Sequence, residues 1–309
     1  MQRVSRRSFL RTTAVSAVGI GVSAGMASVL GACGTDASNL DGNPDGNIDG
    51  ELPEGIQVIQ RFPQILVPGD VRMPISLALG GGLLTTGATA APSVLTGRLE
   101  RLDGADFVPY VDNLRAERHD VNLATPYWPF RATIDAPGVY QLLLDGGPVE
   151  GAAIQVSPPD SIGVPQVGQA LPPLDSPTVL DPRGVSPLCT RTPQACSLHE
   201  VSLRDAVALG KPIVYLVGTP AHCSTGTCAP ALDALLDLHR ELGDEATFIH
   251  AEVYADQGAT TPSPAITDFA MTYEPALFIT DATGVVVDRL DAVFDVRELR
   301  ASLARAGVS

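Results

Sequence analysis

Two cysteine pairs carry the chain's most evident chemistry: Cys223 and Cys228, with four residues between them, and Cys189 and Cys196, with six. Close thiols can form a disulfide, exchange it with another protein, or hold a soft metal ion. Each pair closes a short local loop, which favours 189–196 and 223–228 among the three pairings that four cysteines allow. Cys223 and Cys228 sit just before a helical run of leucines, where unpaired N–H groups and the helix dipole favour a thiolate. Adjacent His222, when protonated, would lower the Cys223 pKa further. Five positions along a helix rotate by about 140°, so both thiols cannot face one way from within it. Cys223 is therefore expected in a loop that folds back, with Gly226 permitting the turn and Cys228 near the helix N-terminus. Cys189 and Cys196, remote from any helix start, read as a structural disulfide.

The elements that must position these thiols can be read from apolar patterning. Residues 211–217, Lys-Pro-Ile-Val-Tyr-Leu-Val, form an apolar, β-branched run without alternation, as in a strand covered on both faces. Ala231, Leu232, Leu235, Leu236, Leu238 and Leu242 then recur at helical spacing, with Gly243 as the stop. A short helix is expected over 202–209, strands over 246–253, 275–280 and 285–290, and helices over 264–271 and 295–306. Asp281-Ala282-Thr283-Gly284 supplies a hairpin turn. His250 lies mid-strand and reads as packed or surface-facing, and His199 and His239 as loop-packing or helix-surface residues.

The order β-α-β-α-β-β-α, a cysteine pair at the first strand-to-helix junction and Pro275 at the start of the third strand together resemble the thioredoxin superfamily. Within it, Gly218-Thr219-Pro220-Ala221-His222-Cys223 with Cys228-Ala229-Pro230 looks like an exported bacterial group with an elongated C-x4-C loop. The resemblance covers about a third of the chain, roughly residues 202–306. It implies a central mixed sheet flanked by helices, with Glu274-Pro275 as the cis-proline pair beside the active cysteines. It also implies Cys223 as the attacking and Cys228 as the resolving sulfur in thiol–disulfide exchange with a partner protein's thiols or disulfides. Two departures stand out: the four-residue spacer, and Val217 where thioredoxins carry a buried acid six residues before the first cysteine. A fixed 223–228 disulfide on a binding or scaffold protein is the opposed reading. Because some copper-assembly chaperones share this fold, a third gives Cys223, Cys228, His222 and His250 to copper; otherwise no resident cofactor is expected.

The remaining chain describes how such a domain would be delivered. Ser5-Arg6-Arg7-Ser8-Phe9-Leu10-Arg11 matches the twin-arginine export motif through Arg6 and Arg7, and an apolar stretch ends in Leu30-Gly31-Ala32-Cys33, which resembles a lipobox. Residues 1–32 are thus expected to be a signal peptide and Cys33 a lipidated anchor on the periplasmic side, with the outer membrane favoured over the inner. The competing reading of 13–32 is a transmembrane anchor. Residues 33–55, rich in Asp, Gly, Asn and Pro, read as a flexible tether. Residues 56–157 carry short strands without a helical stripe, the pattern of an all-β immunoglobulin-like sandwich. Tyr127, Trp128 and Phe130 would lie in its core, 135–138 at a hairpin turn and His119 in solvent. Eight prolines mark 158–187 as a semi-extended linker before an α/β thioredoxin-like domain over 188–309. Loss of Arg3, Arg6, Arg7 and Arg11 leaves 16 basic against 35 acidic residues, a net of −19. Such a chain repels phosphate backbones, which excludes nucleic acid as a partner.

Overall fold

The computed structural model describes residues 52–88 and 91–309, so Arg6, Arg7, Cys33 and most of the expected tether lie outside the described residues. Short β-branched runs give the first half eight strands. These are β1 Gln57–Gln60, β2 Gly69–Leu79, β3 Gly82–Leu83, β4 Val94–Asp103, β5 Asp106–Glu117, β6 Trp128–Ile134, β7 Gly138–Leu144 and β8 Ala152–Val156. In one sheet β2 pairs with β1 along one edge and with β6 and β3 along the other; the second sheet runs β5-β4-β7-β8. All the pairings are antiparallel. Alternate side chains of both sheets, including Met73, Ile75, Leu99, Trp128, Phe130, Tyr140 and Ile154, fill a single core.

The second half adds α1 Leu203–Ala208, β9 Ile213–Val217, α2 Cys228–Leu242, β10 Thr247–Ala251, α3 Pro264–Asp268, β11 Ala276–Thr280, β12 Val286–Asp291 and α4 Val296–Arg305. Their sheet runs β10-β9-β11-β12, with β9 and β10 parallel and the other neighbours antiparallel. The missing alternation in β9 has a simple cause, since both faces are covered. Val214 and Leu216 pack with α2 and α4, whereas Ile213, Tyr215 and Val217 pack with α1 and α3. Ser202 caps α1 by accepting from the Asp205 amide, Asp295 caps α4 by accepting from the Glu298 amide, and Gly243 ends α2 at φ +54°. Asp281 organises the β11–β12 turn, its carboxylate accepting from the amides of Thr283 and Val285.

Three expectations are corrected at the seam between the halves. Residues 135–137 do not close a hairpin, because β6 and β7 belong to different sheets; the same turn chemistry serves a sheet-to-sheet crossing. His119 is not a solvated loop residue: its Nδ1 lies 2.8 Å from Asp295 Oδ1 at the start of α4. The proline-rich stretch does not span open solvent. Val164, Leu171 and Leu174 are buried against the second-half core, and Gly168 and Leu171 donate to the carbonyls of Val286 and Gly284.

The described residues form one compact unit, and buried charge joins its two halves. Arg72, on the face of β2 turned away from its own core, reaches Glu298 of α4 through two hydrogen bonds of 2.7 Å and also donates to the carbonyls of Asp291 and Val293. Tyr127 donates to Glu298 at 2.7 Å and accepts from the Asp295 amide. Arg131 forms a fork with Asp288, which also accepts from Ser302 and Arg305. Burial opposes ionisation of Glu298 and Asp288, but Arg72 and Arg131 outweigh it and hold both carboxyls below their ordinary values. Folded pKa values below the unfolded ones give stability that is complete above the ordinary carboxylate range and is lost as pH falls through the folded pKa. Removing one partner leaves a buried charge alone, so Arg72→Ala should cost about 3–5 kcal/mol in chemical denaturation at pH 7. The loss should shrink in acid as Glu298 protonates; equal stability of variant and parent at pH 7 would refute the coupling.

Candidate functional site

The first candidate centre begins where β9 ends. Gly218 extends the pairing with β10 by donating to the Ala251 carbonyl at 3.0 Å, and the chain then turns out through residues 219–227 before α2 starts at Cys228. Gly226 sits at φ +69° and lets the loop fold back, so that Cys223 comes under the helix N-terminus. Thr227, at the N-cap, makes no side-chain capping bond. Instead the free helix amide of Cys228 donates to Cys223 Sγ at 3.3 Å. Thr225 Oγ1 lies 3.2 Å from the same sulfur and 2.7 Å from Thr227 Oγ1.

The two thiols are made unequal by this arrangement. Cys223 is held down to about 4, first by the Cys228 thiol donating to it and then by Thr225 and the backbone amides of Cys228 and Thr227, against the opposing effect of burial. Cys228 is pushed up by the same thiol pairing and by its own burial. Cys223 is partly exposed and Cys228 fully buried, so the ionised sulfur is also the reachable one. The Glu274–Pro275 peptide is cis. Pro275 and Cys228 Sγ flank Gly218, where an added Cβ would lie 3.6 Å from Pro275 Cβ and 3.7 Å from the sulfur. Val217 is buried and supplies no acid, but Glu274 brings a carboxylate near both thiols; burial first, then the charge of Cys223, raises its pKa.

His222 takes a different place from the one expected. Its ring packs edge-on against Tyr254, with centroids 6.0 Å apart, and the groups that hold Cys223 down are those of Cys228, Thr225 and Thr227.

The second centre is one that sequence reasoning divided between other roles. Cys189 and Cys196, expected as a structural disulfide, are free thiols in this structure, as are Cys223 and Cys228. Cys189 and Cys196 lie together in a cluster with His199 and His250, whose four ligand atoms are all within 4.8 Å of one another. His250 Nδ1 is 3.8 Å from Cys189 Sγ, 3.5 Å from Cys196 Sγ and 3.3 Å from His199 Nε2, which is itself 3.2 Å from Cys196 Sγ. Backbone pairing brings the histidines together, the His250 amide donating to the Leu198 carbonyl. Such a group could hold a metal ion. It is the only set of three or more candidate ligands among the described residues, so Cys223, Cys228, His222 and His250 do not assemble as the copper reading required. His250 belongs to the other cysteine pair because its ring projects to the side of β10 where 189–199 packs. The sequence carries three of the four as Cys189-x6-Cys196-x2-His199, a cysteine spacing wider than that of the common zinc motifs.

A short polar bridge joins the two centres. Thr190, next to Cys189, donates to Glu252 through both its amide and its hydroxyl, and its Oγ1 accepts from the Ala221 amide in the thiol loop. Comparison with known protein families and with curated proteins finds no family model and no curated protein that matches the chain.

A thiol held down to about 4 is ionised throughout the neutral range. In the reduced protein, alkylation of Cys223 by iodoacetamide should therefore run at a nearly constant rate from about pH 6 to 8, where an ordinary thiol gains roughly tenfold per pH unit. Thr225→Val should raise the midpoint of this profile. A Cys223 rate that climbs tenfold per unit would contradict the assignment.

Proposed function

We propose that the protein is a membrane-anchored, extracytoplasmic thioredoxin-like protein that exchanges disulfides with a partner protein through Cys223 and Cys228. The observation that carries the reading is the pairing of a reachable, low-pKa sulfur with a buried, high-pKa one at a helix N-terminus. The cis Glu274–Pro275 bond beside Cys228 and the element order β9-α2-β10-α3-β11-β12-α4 support the family resemblance. The anchor is argued from the sequence, through Arg6, Arg7 and the lipobox-like run to Cys33. No helix of the described residues is long and apolar enough to cross a membrane.

In the oxidising direction for this protein, the Cys223 thiolate attacks one sulfur of the partner's disulfide. A mixed S–S bond forms, and the partner's other sulfur leaves as a thiolate. Cys228 then loses its proton and attacks Cys223 Sγ, closing the 223–228 bond and releasing the partner's second sulfur, so two electrons pass to the partner. The carboxylate near Cys228 that could take its proton is Glu274. The reverse sequence oxidises the partner.

Cys228→Ser should accumulate mixed disulfides through Cys223 that are visible on non-reducing gels, whereas Cys223→Ser should accumulate none. The 223–228 couple in the full chain should have a reduction potential above about −300 mV. A lower potential, with no trapped species in Cys228→Ser, would mark a fixed disulfide and sink the proposal.

A further inference from the structure

The Cys189, Cys196, His199 and His250 cluster lies outside the Cys223–Cys228 pair, and its polar groups are gathered in a buried position. His250 is fully buried and His199 nearly so. His250 Nε2 lies 3.0 Å from the Gly218 carbonyl oxygen, which can only accept, so Nε2 carries a proton and the neutral ring offers the lone pair of Nδ1. That lone pair faces two thiols and a second imidazole nitrogen. A backbone carbonyl that fixes the tautomer from behind is the usual support of a metal-ligating histidine. On the far side of the cluster, His199 Nδ1 is buried without a hydrogen-bond partner.

The spacings match one coordination geometry. In a tetrahedron with metal–sulfur bonds of about 2.3 Å and metal–nitrogen bonds of about 2.0–2.1 Å, the edges are about 3.3 Å for N···N, 3.6 Å for S···N and 3.8 Å for S···S. Of the six edges, the N···N contact is 3.3 Å, three S···N contacts are 3.2, 3.5 and 3.8 Å, and the fourth S···N and the S···S edges lie within 4.8 Å. A disulfide would bring the two sulfurs to about 2 Å and leave both imidazoles without their shared partner. The cysteines are instead free, with the Cys196 amide donating to Cys189 Sγ at 3.4 Å, as second-sphere amides do toward bound thiolates.

We propose that Cys189, Cys196, His199 and His250 form a closed tetrahedral site for a zinc ion. Two thiolates and two neutral imidazoles balance the ion's charge in a buried position, and two borderline nitrogens with two soft sulfurs suit Zn2+. With four protein ligands there is no open position, so the ion is structural. It fastens 189–199 to β10 and, through Thr190 and Ala221, supports the loop that holds Cys223.

The test uses the full chain, reduced and stripped of metal with a chelator, then titrated with Zn2+ and separately with Co2+. The expected result is one equivalent of each, with the strong visible bands of tetrahedral cobalt and a thiolate-to-cobalt charge-transfer band. X-ray absorption of the zinc form should give two sulfur and two nitrogen neighbours, a readout that needs no variant. Cys223→Ser/Cys228→Ser should retain the full equivalent, whereas His250→Ala and Cys196→Ser should weaken zinc at least 100-fold. Overturning results would be no binding, a weak octahedral cobalt spectrum, a shell without two sulfurs, or binding lost in the Cys223→Ser/Cys228→Ser variant. A Cys189–Cys196 disulfide in protein isolated with zinc present would overturn it equally.

Discussion

The parallel pairing of β9 with β10 is the constraint on which both candidate centres depend. It sets Val217 opposite Ala251 and Leu216 opposite His250, so the strand that delivers the thiol loop and the strand that carries the imidazole leave the sheet at the same end. Ligands and reactive groups commonly gather at the carboxyl ends of parallel strands, because the loops there are free to vary while the sheet stays rigid. Here the arrangement is unusually economical, since the Gly218 carbonyl belongs to the thiol-loop strand and holds the His250 ring of the other centre. Strand β10 cannot slip by one residue without turning His250 to the opposite face of the sheet.

Much of the second half was legible because its signals are local. Strand β9 announced itself by unbroken apolar residues, α2 by its leucines and Gly243, and the fold-back of Cys223 by the incompatibility of a five-residue step with one helix face. The Cys2His2 group was not legible in the same way. His250 lies 61 residues from Cys189, and only the Leu198–His250 backbone pairing makes them neighbours. Proximity in sequence favoured joining Cys189 to Cys196, and the third ligand, three residues further on, was read as loop packing.

In the first half the strands were readable and their partners were not. Turn residues at 135–138 specify a change of direction but not whether the next strand stays in the same sheet. The prolines of 158–187 indicate a stiff backbone, yet Val164, Leu171 and Leu174 are too widely spaced to show a buried face. Arg72 gave no hint at all, because a charged residue in an alternating strand normally marks the solvent side. Its side is covered by α4, whose Glu298 turns its carboxylate inward to meet it.

The Arg72–Glu298 pair also bears on how the chain comes to be folded. The guanidinium emerges from synthesis 226 residues before the carboxylate that neutralises it. Until α4 is made, the face of β2 that holds Arg72 has no cover, and an early sandwich would hold a desolvated charge or leave that face open to water. Neutralisation of Arg72 thus requires the last helix of the second half.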